Sequence, residues 1–219
     1  RLKGPCRMGQ ACCACESGAN VENLAKQSEL FGSGGRTVGR PCEFDVLIQK
    51  DGGASLGLEL DCTGPDMPRV VDIRPGGLIQ EHNRKGAGDE TVQCQDFLVE
   101  VNGVAGDAQA MLSQVSQCAR LHMVFRHPLM LEITLTKVRD SFGMELTHHW
   151  ASNSLMIKKL HQDGAVETWN KIYPGMQVLP GDYIVQVNGC EGKAEELLST
   201  VKLSMTVRFL VSRPCPQKT

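Results

Sequence analysis

Two kinds of residue pattern in this chain bear on chemistry: a cluster of thiols near its start and a pair of glycine-centred turns further on. Cys6, Cys12, Cys13 and Cys15 crowd together, and four thiolates can hold a zinc ion tetrahedrally. The spacing argues against that use, because adjacent Cys12 and Cys13 seldom both point inward and no paired C-x-x-C occurs. S-acylation is a second reading, since Cys12, Cys13 and Cys15 lie near Arg1, Lys3 and Arg7, the composition of a membrane-anchor patch. Inert thiols are the third. Gly32-Ser33-Gly34-Gly35 has the outline of a nucleophilic serine loop, yet too little chain precedes it to supply an activating histidine and aspartate. Nor is it a phosphate loop, because the Lys-Ser/Thr pair is missing and Pro41 follows where a helix would start. It reads as a linker.

The turns are Ser55-Leu56-Gly57-Leu58 and Ser141-Phe142-Gly143-Met144. A central glycine tolerates the positive φ that other residues resist, so such a turn can aim successive backbone amides at one anion. That is capture rather than catalysis, and no other set of residues resembles a catalytic constellation. A bland reading remains beside it, in which Gly57 and Gly143 are tight-turn glycines and their neighbours fill a core.

Composition narrows the setting. The chain has 219 residues with 23 basic and 25 acidic side chains, a net charge of −2, so there is no basic field of the kind that nucleic acid or an anionic membrane selects. Hydrophobic residues at 41% and charged residues at 22% are ordinary globular values. No apolar run approaches the ~18 residues of a membrane span. No secretory signal is expected, and Cys42, Cys62, Cys94, Cys118, Cys190 and Cys215 follow no disulfide framework. These features predict a soluble protein in a reducing, cytoplasmic compartment, with membrane association only through S-acylation.

The turns repeat because the body of the chain repeats. Ser55–Leu60 returns as Ser141–Leu146, Val99–Gly103 as Val185–Gly189, and Ala108–Val115 as Ala194–Val201, all at an offset of 86 residues. Within each copy Phe44, Val46 and Ile48, or Leu131, Ile133 and Leu135, alternate as a half-buried strand does. Strands follow at Leu58 and Met144, at Val70–Ile73 and Met156–Leu160, and before the Asn-Gly turns at 102–103 and 188–189. Short helices are predicted over Leu78–Asn83 and Ala165–Asn170. Longer ones carry Met111, Leu112 and Val115, or Leu197, Leu198 and Val201, on one face. Residues 1–41 lack a sustained period and end Gly-rich, which predicts a flexible leader with at most a short helix over Val21–Leu30.

This order, with a Ser-Leu-Gly-Leu or Ser-Phe-Gly-Met turn before the second strand and Val-Asn-Gly before the longer helix, resembles the PDZ domain over residues 42–213. The second copy is the closer match, with Gly181-Asp182 leading into its strand where the first has Gln95-Asp96. The resemblance implies a mainly β (α+β) fold of two partly open antiparallel barrels, each with a short and a longer helix. Domain 1 would cover 42–127 and domain 2 128–213, with 214–219 a tail. The short junction His127-Pro128-Leu129 predicts a fixed relative orientation.

The resemblance also implies a non-enzymatic adaptor without cofactor or metal, which binds C-terminal or internal peptide segments of other proteins and not nucleic acid. Leu56, Gly57 and Leu58, and Phe142, Gly143 and Met144, would cradle the carboxylate. The peptide groove would take Lys50, Leu60, Ala108, Leu112 and Val115 in one copy and Lys137, Leu146, Ala194, Leu198 and Val201 in the other. Alanine at 108 and 194 cannot bond a hydroxyl, so a Ser/Thr preference is not expected. Asp107 and Lys193 would then favour opposite charges. His148 and His149 would either touch an upstream peptide residue or sit in solvent. The competing readings are a fragment of a larger PDZ-containing protease or other enzyme, and a structural tandem that contacts folded domains without capturing a carboxylate.

Overall fold

The structure is a computed structural model that describes residues 35–38, 42–51, 53–86, 88–149 and 152–214. The thiol cluster at 6–15, the helix expected over 21–30, Ser33 and Cys215 lie outside the described residues. Among the described residues no helix is long and apolar enough to cross a membrane.

Alternating sequence becomes alternating burial. Strand β1 spans Arg36–Val38, and β2 (Glu43–Gln49) buries Phe44, Val46 and Ile48 while turning Glu43, Asp45, Leu47 and Gln49 outward. Then come β3 (Leu58–Asp61), β4 (Arg69–Ile73), helix α1 (Leu78–Lys85), β5 (Phe97–Val101), β6 (Val104–Ala105), α2 (Ala108–Gln117) and β7 (Arg120–Arg126). The second half repeats the series as β8 (Leu129–Thr136), β9 (Met144–Thr147), β10 (Leu155–Leu160), α3 (Ala165–Ile172), β11 (Tyr183–Val187), α4 (Ala194–Leu203) and β12 (Thr206–Arg213). Strands β2, β3, β5 and β7 return at the 86-residue offset, whereas β10 and α3 match β4 and α1 at 87, since Thr147 pairs with Met156 as Asp61 pairs with Arg69. The extra residue therefore falls between Thr147 and Met156, and the slip in the β9–β10 ladder is shared with β3–β4.

The first half is an antiparallel sheet in the order β2-β7-β5-β4-β3, with β6 folded back on β5. The second is ordered β1-β8-β12-β11-β10-β9. Neither sheet closes, and β3 and β9 stand at equivalent open edges. Each half has its own core, one around Phe125, Met123 and Ile79, the other around Trp169, Phe209 and Leu131. Asn102-Gly103 and Asn188-Gly189 both adopt positive φ, the conformation a two-residue hairpin turn needs.

The leader departs from expectation at its end. Arg36–Val38 pairs antiparallel with β8, opposite Glu132 to Met130, and Arg36 Nε donates to Glu132 Oε2 at 2.7 Å. A strand edge offers unpaired backbone groups that a passing segment can satisfy. Gly35 allows the approach, because a Cβ there would sit 2.3 Å from the Glu132 carbonyl oxygen.

The halves meet across a buried polar knot and an aromatic contact. Arg69, fully buried, donates through Nη2 to Asp61 Oδ2 (2.9 Å), Asn153 Oδ1 (2.8 Å) and Ser154 Oγ (2.7 Å). Ser152 Oγ donates to the same Asp61 oxygen at 2.5 Å. Beside the knot Phe97 meets Tyr183 at 5.7 Å between ring centroids, within a cluster that includes Val185 and the flanking Met67, Met130 and Met156. The Arg69 guanidinium lies 5.4 Å from the Tyr183 ring centre. Burial pushes the Tyr183 hydroxyl up to about 12. At the junction His127 Nδ1 holds Asp96 Oδ1 at 2.7 Å, and at the equivalent place Arg213 holds Asp182 at 2.6 and 2.7 Å. Burial raises both Asp96 and Asp182, with His127 and Arg213 pulling part of that back.

Gln95 occupies the position where the second half has Gly181, and it takes the same left-handed backbone, φ 81° against 90°. Such a conformation costs a non-glycine residue about 1 kcal/mol. Here the side chain has a use, because Gln95 Oε1 accepts from Arg69 Nη1 at 2.6 Å.

Removing one ion of a buried pair strands the other, at about 3–5 kcal/mol. Arg69→Ala is therefore expected to lower the urea midpoint of unfolding by that equivalent. A change within 0.5 kcal/mol, the size of an ordinary surface substitution, would contradict the assignment. Burial raises the Asp61 carboxyl, but hydrogen bonds from Ser152 and Thr63 and the Arg69 charge outweigh it and leave it below the ordinary 3.8. Its stabilisation is complete above that value and is lost as pH falls through the lower folded one. Asp96 and Asp182, raised, act in the opposite sense. The stability difference between wild type and Asp61→Asn across pH 2–5, followed by denaturant titration, isolates the Asp61 contribution and should shrink toward the acid end.

Candidate functional site

Each glycine turn is clamped from one side. In the first half Leu78 N donates to the Ser55 carbonyl (3.1 Å), Ile79 N to that of Leu56 (3.1 Å) and Arg74 N to that of Gly57 (2.8 Å). A trans peptide plane points its N–H opposite to its C=O. Carbonyls of 55, 56 and 57 facing α1 and β4 therefore turn the amides of Leu56, Gly57 and Leu58 the other way. The Arg74 bond also makes Leu58–Ile73 a non-hydrogen-bonded pair of the ladder, so the Leu58 amide and carbonyl face the open edge of β3. In the second half Val166 N donates to the Phe142 carbonyl (3.0 Å) and His161 N to that of Gly143 (2.8 Å). This turns out the amides of Gly143 and Met144 and frees the outer side of Met144 in the same way.

Gly57 and Gly143 lie at φ 71° and 76°, and each touches a second glycine that the sequence reading missed. A Cβ on Gly77 would be 2.5 Å from the Gly57 Cα, and one on Gly164 would be 2.4 Å from the Gly143 Cα. The signal was available, since Gly77 and Gly164 each stand immediately before an apolar helix start. The hydroxyls of the turns were likewise overlooked. Ser55 Oγ accepts from Gly57 N at 3.2 Å and Ser141 Oγ from Gly143 N at 3.0 Å. A carboxylate reaching those amides exchanges a neutral acceptor for a charged one, and charge-assisted bonds are roughly twice as strong.

Between each edge strand and the longer helix lies a cleft. The first, of about 470 Å³, is lined by Lys50, Ser55 to Leu58, Leu60, Leu112 and Val115, with Leu98 and Met123 as its floor. The second, of about 430 Å³, is lined by Lys137, Ser141, Phe142, Met144, Leu146, Leu198, Val201 and Lys202. Lys50 Nζ donates to the Val115 carbonyl and Lys137 Nζ to that of Lys202, each at 2.6 Å. Both ammonium groups thus sit at the C-terminal end of the longer helix, where its dipole favours a cation. Lys137 Nζ is also 5.4 Å from the centre of the Phe142 ring.

Two of the sequence-derived positions are placed differently from the rest. Ala108 and Ala194 are almost fully buried and line neither cleft. Their amides bond the carbonyls of Pro65 (2.9 Å) and Ser152 (3.0 Å). Asp107 is occupied as the cap of α2, its Oδ1 accepting from the amides of Gln109 and Ala110 at 2.9 and 3.0 Å. Lys193 caps α4 with no side-chain bond. His148 Nδ1 lies 3.2 Å from the His149 carbonyl oxygen, and His149 reaches toward the first half.

The paired sheets, turns and clefts make the chain a tandem of two PDZ-like halves. No family model matches this sequence, and no curated protein matches it. Among solved structures the chain is similar to a complex of INAD PDZ45 with NORPA CC-PBM, at 14% identity and a TM-score of 0.33 over 81% of this chain and 93% of that one. It is similar also to INAD PDZ45 in complex with NG2 peptide, at 15% identity and a TM-score of 0.32 over 82% and 93% of the two chains.

Gly77 and Gly164 have φ of −79° and −97°, which any residue adopts, so alanine at either tests the contact alone. Gly77→Ala and Gly164→Ala are each expected to destabilise the protein by about 1–3 kcal/mol, the usual cost of overpacking. Gly175→Ala, where a Cβ meets nothing within 4 Å, is the control. Thermal unfolding reads the difference, and equal melting temperatures for the three variants would refute the contact.

Proposed function

We propose that this protein is a non-catalytic adaptor that captures the C-termini of partner proteins. The observation that carries the reading is the pair of outward-turned amides at the head of an open strand edge, beside an apolar cleft, in both halves. A peptide adding antiparallel to β3 or β9 would take main-chain bonds from the edge. Its carboxylate would meet the amides of Leu56, Gly57 and Leu58 or of Phe142, Gly143 and Met144. Its last side chain would enter the cleft against Leu60, Leu112 and Val115 or Leu146, Leu198 and Val201. Lys50 and Lys137 would add positive charge nearby. Units of 42–127 and 128–213 suit this reading. The described cysteines at 62, 94, 118 and 190 are free, which supports a reducing, cytoplasmic setting.

A few main-chain bonds at ~1 kcal/mol each and one buried apolar side chain at ~2 kcal/mol favour micromolar affinity. The test is fluorescence anisotropy with peptides ending in an apolar residue, as free acids and as C-terminal amides. Amidation is expected to weaken binding at least about tenfold, a loss of ~1.4 kcal/mol. Leu112→Glu should silence the first cleft and Leu198→Glu the second, with circular dichroism confirming the fold. Glycine variants of the turns are unsuitable, because they break the contacts with Gly77 and Gly164. Equal binding of acid and amide would overturn carboxylate capture in favour of a module that contacts folded domains.

A further inference from the structure

Resting on that reading, we infer that the first cleft continues across the junction into a pocket built by both halves, and that this pocket takes a lysine or arginine side chain of the bound peptide. The pocket, of about 290 Å³, is lined by Glu59, Leu60 and Asp61 from β3, Gln109 from α2, and His149 and Ser152 from the second half. Leu60 lines the carboxylate cleft as well, so the two spaces adjoin at that residue.

The second-half wall is held in place at three points. The Ser152 hydroxyl donates to Asp61 at 2.5 Å, the Ser152 amide donates to the His149 carbonyl at 2.9 Å, and the Ser152 carbonyl accepts from Ala194 N at 3.0 Å. His149 is thereby fixed at the upstream mouth of a groove that belongs to the other half.

The chemistry of the wall selects the occupant. Leu60 and Val71 offer apolar surface for an aliphatic stem, the part of a long basic side chain that prefers to be covered. The same lining carries the carboxylates of Glu59 and Asp61 and no lysine or arginine. Asp61 is committed to Arg69, so the available charge is Glu59, whose 3.2 Å pair with Arg74 is exposed on both sides and readily exchanged. A strand rises about 3.3 Å per residue, which places Asp61 about 10 Å from the turn and opposite the third or fourth residue upstream of the peptide's end. The second cleft shares no lining residue with this pocket.

The experiment uses the full chain carrying Leu198→Glu, so that only the first cleft reports. One probe is a tripeptide with a free carboxylate, too short to reach the pocket. Three decapeptides share those three residues and carry lysine, alanine or glutamate at the three positions preceding them. The lysine peptide is expected to bind roughly two- to five-fold more tightly than the alanine peptide, and the glutamate peptide less tightly. Glu59→Gln should bring lysine and alanine to parity, and His149→Lys should reverse the order through a residue of the other half. If lysine and glutamate peptides bind alike, or His149→Lys leaves their order intact, the shared pocket is refuted while tripeptide binding still stands. If the tripeptide itself fails to bind, the peptide-capture reading falls and this inference with it.

Discussion

The arrangement of the two halves depends on keeping Asp61 and Arg69 ionised out of water. An isolated buried ion costs several kcal/mol, and a buried pair offsets that only if its remaining donors and acceptors are also satisfied. Arg69 finds Gln95 on its own half and Asn153 and Ser154 on the other, and Asp61 finds Thr63 and Ser152. The satisfaction is incomplete, since Arg69 Nε is buried without a partner. Withdrawing the second half would leave this knot short of Ser152, Asn153 and Ser154. The constraint explains Gln95 as well, because its strained backbone delivers the acceptor that the outer face of Arg69 needs.

What could be read from sequence was local or repeated. Alternation in β2 and β8 and the Asn-Gly turns declared themselves because a period of two and a turn with positive φ are written in consecutive residues. The 86-residue offset then doubled every signal. Strand β1 was invisible, because three residues carry no period and its partner lies 96 positions away, as between Arg36 and Glu132. Arg69 looked like an ordinary strand residue, since nothing around it in sequence tells that Ser154 will bond it. The clefts were partly legible: Leu60, Leu112, Leu198 and Val201 line them, but Ala108 and Ala194 face inward, because the first turn of each longer helix packs onto the core. Gly77 and Gly164 passed as loop residues, although a close backbone approach is a common reason for a glycine to stand before a helix.

The two clefts share their machinery and differ in their surroundings. Both pair an open edge with outward amides and a lysine anchored to a helix end. The first shares Leu60 with a pocket at the junction whose other wall is His149 and Ser152 of the second half. The proposed adaptor therefore has one groove read by a single half and one read by both, and what fixes the halves together also fixes the mouth of the first groove.

The meeting of Phe97 with Tyr183 has a further meaning, since these are the same position in each repeat. Contact between like positions is the relation that a two-fold axis imposes, and it is self-complementary and closed. Such a surface is consumed by one pairing, unlike a head-to-tail contact, which leaves a free copy at each end of a row. The architecture is that of a homodimer written into one polypeptide. Asp61 and Arg69, whose counterparts in the strand registers are Thr147 and Met156, are where that symmetry has been broken, so each repeat is matched to its sibling and poorly matched to itself.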